Sequence, residues 1–122
     1  MYREYFNEAL EQFNCFPNGR YRIEWYNHGH SRLLLRASPH DKDRFSESVY
    51  LTMGAVCFIS GIVDWEIAPL RIIDEGFPNF LNDFFYDAHG ETLPIVLVAD
   101  TPGCKTYFMC SQLGFSTKYV TP

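Results

Sequence analysis

Across residues 48–60 the odd positions Val49, Leu51, Met53, Ala55, Cys57 and Ile59 are apolar without a break, whereas the even positions are mixed. A repeat of two is that of a strand with one dry face. At about 3.3 Å per residue such a strand would reach roughly 40 Å, long for a small domain, so Gly54 is expected to mark a bend or bulge. The other elements are expected to be organised around this strand.

Residues 2–15 place Tyr2, Tyr5, Phe6, Ala9, Leu10 and Phe13 at helical spacing, which predicts an amphipathic first helix. Pro17 and the pair Asn18-Gly19 end it. Residues 20–26 and 32–38 read as a β-hairpin. Pairing Tyr26 with Arg32 sets Trp25 opposite Leu33, Ile23 opposite Leu35 and Tyr21 opposite Ala37, which gives one clean apolar face. The other face then carries Arg20, Arg22, Glu24, Tyr26, Arg32, Leu34 and Arg36, with Arg22 directly opposite Arg36. A polar loop, residues 38–43, leads to the long strand.

Residues 62–66 are expected to turn the chain and residues 68–74 to return it, at a sheet edge or with a break, because Pro69 cannot donate to a ladder. In residues 77–90 the period changes: Phe80, Leu81, Phe84, Phe85 and Ala88 share a side, which predicts a second helix ending at Gly90. Residues 93–100 suit a buried strand, Pro102-Gly103 a type II turn, and residues 105–111 and 115–120 further strands. Tight turns between strands point to an α+β fold: one largely antiparallel sheet of about six or seven strands, with the N-terminal and second helices covering one face.

Composition adds bounds. The 122 residues fit a single domain, residues 1–122, and Phe, Tyr and Trp make up 17% of them, a large aromatic surplus. No apolar run approaches a membrane span, and the charged N-terminus lacks the apolar core of a signal peptide, so a cytoplasmic chain is expected. Cys15, Cys57, Cys104 and Cys110 have no CxxC spacing and read as reduced, mostly buried thiols. A net charge of −5 argues against nucleic acid as a partner.

The hairpin is the exception to this acidity, with four arginines against one acid between Arg20 and Arg36. Like charges opposed on a sheet repel, so Arg22 and Arg36 need an anionic neighbour: Glu24, an acid elsewhere, another subunit or a ligand. Arg22, Arg36, Arg32, Glu24 and Tyr26 are therefore the candidate site for a small anionic ligand. His28 and His30 form an HxH pair that on a strand would start a metal site, but a third ligand is missing, since His40 falls roughly 20 Å away along an extended chain. Cys104 beside Lys105 is a candidate thiolate without an identifiable histidine base, and Asp64 with Glu66, i and i+2 around Trp65, are a candidate acid/base pair, although acids in a turn are usually just solvated. No nucleophile, base and orienting group can be named together, so an enzyme is the least favoured class and no cofactor is expected. The leading expectation is a protein-interaction domain, acting as a homodimer that covers aromatic surface or an exposed edge strand. A pocket holding a small anion is the alternative.

Overall fold

The structure, a computed structural model, describes residues 2–39, 47–81 and 94–122. Helix α1 (Tyr2–Phe13) opens the chain, followed by β1 (Arg20–Asn27), a 3-10 turn (His28–His30), β2 (Arg32–Ser38), β3 (Val49–Gly54) and β4 (Phe58–Ser60). Then come β5 (Asp64–Glu66), β6 (Arg71–Ile73), a 3-10 turn (Asn79–Leu81), β7 (Ile95–Ala99), β8 (Thr106–Cys110) and β9 (Gln112–Ser116). No helix among the described residues is long and apolar enough to cross a membrane.

The nine strands among the described residues form two antiparallel sheets, β5-β1-β2-β3-β9 and β4-β8-β7-β6. The class is the expected α+β, but the single sheet of six or seven strands is not. Corners explain the difference. β3 runs on into β4, β8 into β9 and β5 into β6, each leaving one sheet and entering the other. With each bent strand counted once, antiparallel neighbours run from β5/β6 through β1, β2, β3/β4, β8/β9 and β7 back to β6. The pairing order closes on itself.

The bend expected at Gly54 is one of these corners. On one side Gly54 pairs with Gln112, on the other Phe58 with Met109, so three residues of the bent strand face two of its partner. Ala55 takes up the extra length in the left-handed region, at φ 51°. The alternation resets there: Val49, Leu51 and Met53 face the core, yet Ala55 and Cys57 are exposed, and Val56 and Ile59 point inward instead. Residues 62–66, read as a turn, contain β5, which pairs with β1. β6 lies at a sheet edge just after Pro69, as that proline requires.

The core lies between the sheets, closed by the apolar face of α1. Phe6, Ala9, Leu10 and Phe13 join Leu33, Leu35, Leu51, Leu97 and Phe108 in one buried cluster. An aromatic chain crosses it, Phe13 to Tyr21 at 5.6 Å, Tyr21 stacked on Trp65 at 5.6 Å, and Trp65 to Phe108 at 6.2 Å. Asn14, just past the helix, fixes α1 to the β5/β6 corner: its Nδ2 donates to the Leu70 carbonyl at 2.8 Å and its Oδ1 accepts from the Leu70 N–H at 3.2 Å. Among the described residues α1 is the one α-helix. The second helix expected over residues 77–90 falls mostly outside them, and its described part is the 3-10 turn closed by the Leu81 N–H on the Pro78 carbonyl.

Candidate functional site

Sheet pairing orders the hairpin's outer face into rows. Arg22 lies opposite Arg36 on β2 and opposite Asp64 on β5, while Arg36 continues to Tyr50 and Ser116. Two arginines do face each other, as the sequence implies. Between them stands Glu24. Its Oε1 is 2.9 Å from Arg36 Nε and 3.6 Å from Arg22 Nε. The Arg36 side chain is 3% exposed and that of Glu24 12%, so their pairing is shielded from water; the Arg36 N–H is not aimed along the contact, which makes it a charge pair more than a hydrogen bond. Beside them, burial pushes the Tyr50 hydroxyl above its ordinary pKa, with Arg36 opposing that shift and Glu24 adding to it.

The register holds as read for Tyr21, Arg22 and Ile23, then slips. A bulge at Glu24 sets Trp25 opposite Leu34 and Tyr26 opposite Leu33. Glu24 and Trp25 therefore both lie on the arginine face. Trp25, expected on the opposite face, donates its indole N–H to the Val120 carbonyl at 2.9 Å, and Arg32 Cζ stands 5.8 Å from its ring centre. Tyr26 turns instead to His28, edge to face at 6.3 Å, and is exposed. Leu34 is wholly buried on this outer face, and Tyr119 meets Tyr50 at 5.7 Å, so the C-terminal segment lies over the sheet.

Most of the face is thus compensated from within. Arg20 reaches Glu66 at 3.6 Å, and Arg22 and Arg36 share Glu24. Among the described residues Arg32 meets no carboxylate and stands against the Trp25 ring. The geometry groups Arg22, Arg36 and Glu24, and separates from them Arg32 and Tyr26.

The other candidates sit apart. His28 and His30 occupy a 3-10 turn, where positions i and i+2 do not share a face as they would on a strand. His40, His89 and Asp87 lie outside the described residues, and among the described residues no cluster of three or more His, Cys, Asp or Glu side chains has metal-binding geometry. All four cysteines are free. Cys110 is buried, while Cys15, Cys57 and Cys104 are exposed, contrary to the mostly buried thiols expected; the corner at residue 55 is what turns Cys57 outward. Partial desolvation raises the Cys15 and Cys57 thiols although these residues are exposed, and burial carries Cys110 to about 12, the direction opposite to thiolate activation. Lys105, the proposed activator of Cys104, points its ammonium at Asp100, 3.7 Å away.

The feature missed in the sequence lies at the corner of residues 61–68. Ile62, Val63 and Ile67 are exposed there, beside an open groove of about 660 Å³ lined by Trp65, Ala68 and Pro102 and by the carboxylates of Asp64, Glu66 and Asp100. Ile67 is in the left-handed region, φ 61°, where a β-branched side chain is strained, and it is 59% exposed. Its N–H donates to the Gly19 carbonyl at 2.9 Å, and Trp65, buried beneath, donates to the Ala68 carbonyl at 2.7 Å. These two bonds tie the corner to the turn before β1 and close it on itself. Three β-branched residues flanking two acids were the available signal, hidden because the segment reads as a turn. Comparison with protein-family models, curated proteins and solved structures finds no match for this chain.

Proposed function

We propose that this chain is a protein-interaction domain that associates with a second copy of itself through the corner formed by residues 61–68. The observation that carries the reading is Ile67, an exposed β-branched residue in a conformation that glycine or asparagine adopts more easily. Strain of this kind persists where the surrounding structure holds it, and it concentrates at functional surfaces.

Self-association is favoured by the make-up of the patch. A two-fold contact must be self-complementary, and here protruding Ile67 and Val63 adjoin an apolar groove able to receive them. Both signs of charge surround it, with Asp64, Glu66 and Asp100 near Arg20, Arg71 and Lys105. β5 ends its sheet, but joining two copies strand to strand about Trp65 would set Asp64 opposite Glu66 of the second copy. Side chains, not a continued sheet, are therefore the expected contact.

Native mass spectrometry tests the reading. The unaltered chain should give a dimer, and Ile67→Asp a monomer of unchanged fold. A monomer from the unaltered chain, or a dimer that survives Ile67→Asp, would remove this surface.

A further inference from the structure

We infer that the shallow groove between Arg32 and Gln112, on the outer face of the five-stranded sheet, is a binding site for a carboxylate group. It lies away from the corner at residues 61–68 and does not depend on that reading.

Sheet pairing builds the groove. In the β2–β3 register the position opposite Arg32 is that of Gly54, and Gly54 pairs with Gln112; in the adjacent row Trp25, Leu34, Thr52 and Gly114 follow one another. Gly54 and Gly114 carry no side chains of their own here, so Gln112 lies across the one and Thr52 beside the other. A Cβ on Gly54 would run into the Gln112 side chain, and one on Gly114 would stand 2.8 Å from Thr52 Oγ1. What remains is a recess of about 170 Å³, lined by Arg32, Thr52 and Gln112 and by the β3 and β9 backbones. That is room for a carboxylate and a few attached atoms, not for a large cofactor.

Charge selects the occupant. Among the described residues Arg32 is the hairpin arginine with no carboxylate in reach, since Arg20, Arg22 and Arg36 are all paired. Its guanidinium stands 5.8 Å from the Trp25 ring centre, and Trp25 is itself fixed by its bond to Val120. A ring contact of this kind orients the planar cation without consuming its N–H donors, so the fork is held ready for a two-oxygen acceptor. The Gln112 side chain lies across Gly54 with its Oε1 nearest, and turning the amide over presents its NH2 to a ligand oxygen. Two sources offer such a group, a free small acid and the C-terminus of a peptide.

The test is a titration followed by ¹⁵N NMR at the Arg32 Nε–H and the Gln112 side-chain amide, with acetate in one arm and an N-acetylated dipeptide acid in the other. Sodium chloride at equal ionic strength is the control. Saturable millimolar shifts at both groups, absent with chloride, are expected from at least one arm. Response to both means that the carboxylate alone is recognised, and response to the peptide alone identifies a chain terminus. Arg32→Gln should weaken binding by about tenfold or more, while Arg22→Gln, which alters an arginine held by Glu24, should leave it unchanged. Absence of saturable shifts in either arm, or loss in Arg22→Gln with retention in Arg32→Gln, overturns the assignment.

Discussion

Arg36 and Glu24 meet at 2.9 Å on the outer face of the five-stranded sheet, on neighbouring strands that a bulge at Glu24 brings into this relation. The carboxylate answers the repulsion that opposing arginines would create. Its removal takes a carboxylate away from a buried cation. Glu24→Gln is expected to destabilise the fold by about 3–5 kcal/mol, towards the lower figure because Glu24 keeps some contact with water. Replacing the pair together, Glu24→Gln with Arg36→Met, should recover much of that loss. Urea denaturation of the two single variants and the double variant measures the coupling, and simple additivity would contradict a shielded pair.

Asn14 makes two hydrogen bonds to Leu70 and so ties α1 to the corner between β5 and β6. Asn14→Ala should cost about 1–3 kcal/mol, because both Leu70 backbone groups lose their partner. Hydrogen exchange at α1 and at Leu70 should speed up together. Acceleration confined to the helix would mean that the tie does not hold the corner.

Burial sets the alkaline limit of stability. Cys110 moves from the ordinary 9.0 of a thiol to about 12, and Tyr21 from 10.0 to about 12. Both are raised in the fold, so their contribution is complete below the unfolded values and is lost as pH rises towards 12. Each group adds a slope of up to about 1.4 kcal/mol per pH unit. Stability should begin to fall near pH 9, and Cys110→Ala should make that fall shallower between pH 9 and 12. A flat profile between pH 9 and 11 would show that neither group is shielded as described.

Ile67 carries opposite consequences for the isolated fold and for the proposed self-association. Asparagine tolerates the left-handed region better than a β-branched residue does, so Ile67→Asn should stabilise the monomer by about 1 kcal/mol. The same change removes the protruding side chain and should weaken self-association. Thermal unfolding at low concentration and sedimentation velocity at high concentration read the two effects separately. A variant that loses stability in both would make Ile67 an ordinary packing residue.

Much of this architecture is legible because local pattern and long-range pairing agree. The helical spacing of Phe6, Ala9, Leu10 and Phe13 survives into the core, and the pairs Tyr21–Ala37, Arg22–Arg36 and Ile23–Leu35 follow from matching faces. Apart from the bend marked by Gly54, legibility fails where the strands turn. Ala55 and Ile67 adopt left-handed conformations that neither residue type announces, and each sends its strand into the other sheet. The slip at Glu24 is equally hidden, since Trp25 and Tyr26 are both amphipathic enough for either face. The candidate site shares that limit: opposing arginines were visible, but which arginine lacks a carboxylate depends on the bulge and on tertiary neighbours.

Isotope-filtered NOE spectroscopy on a mixture of labelled and unlabelled chains reads the proposed self-contact at Ile67 itself. Intermolecular contacts are expected from the Ile67 methyls of one copy to Ala68 and Pro102 of the other. A dimer whose intermolecular contacts arise elsewhere, or a mixture with none at concentrations where the protein is fully folded, would contradict it.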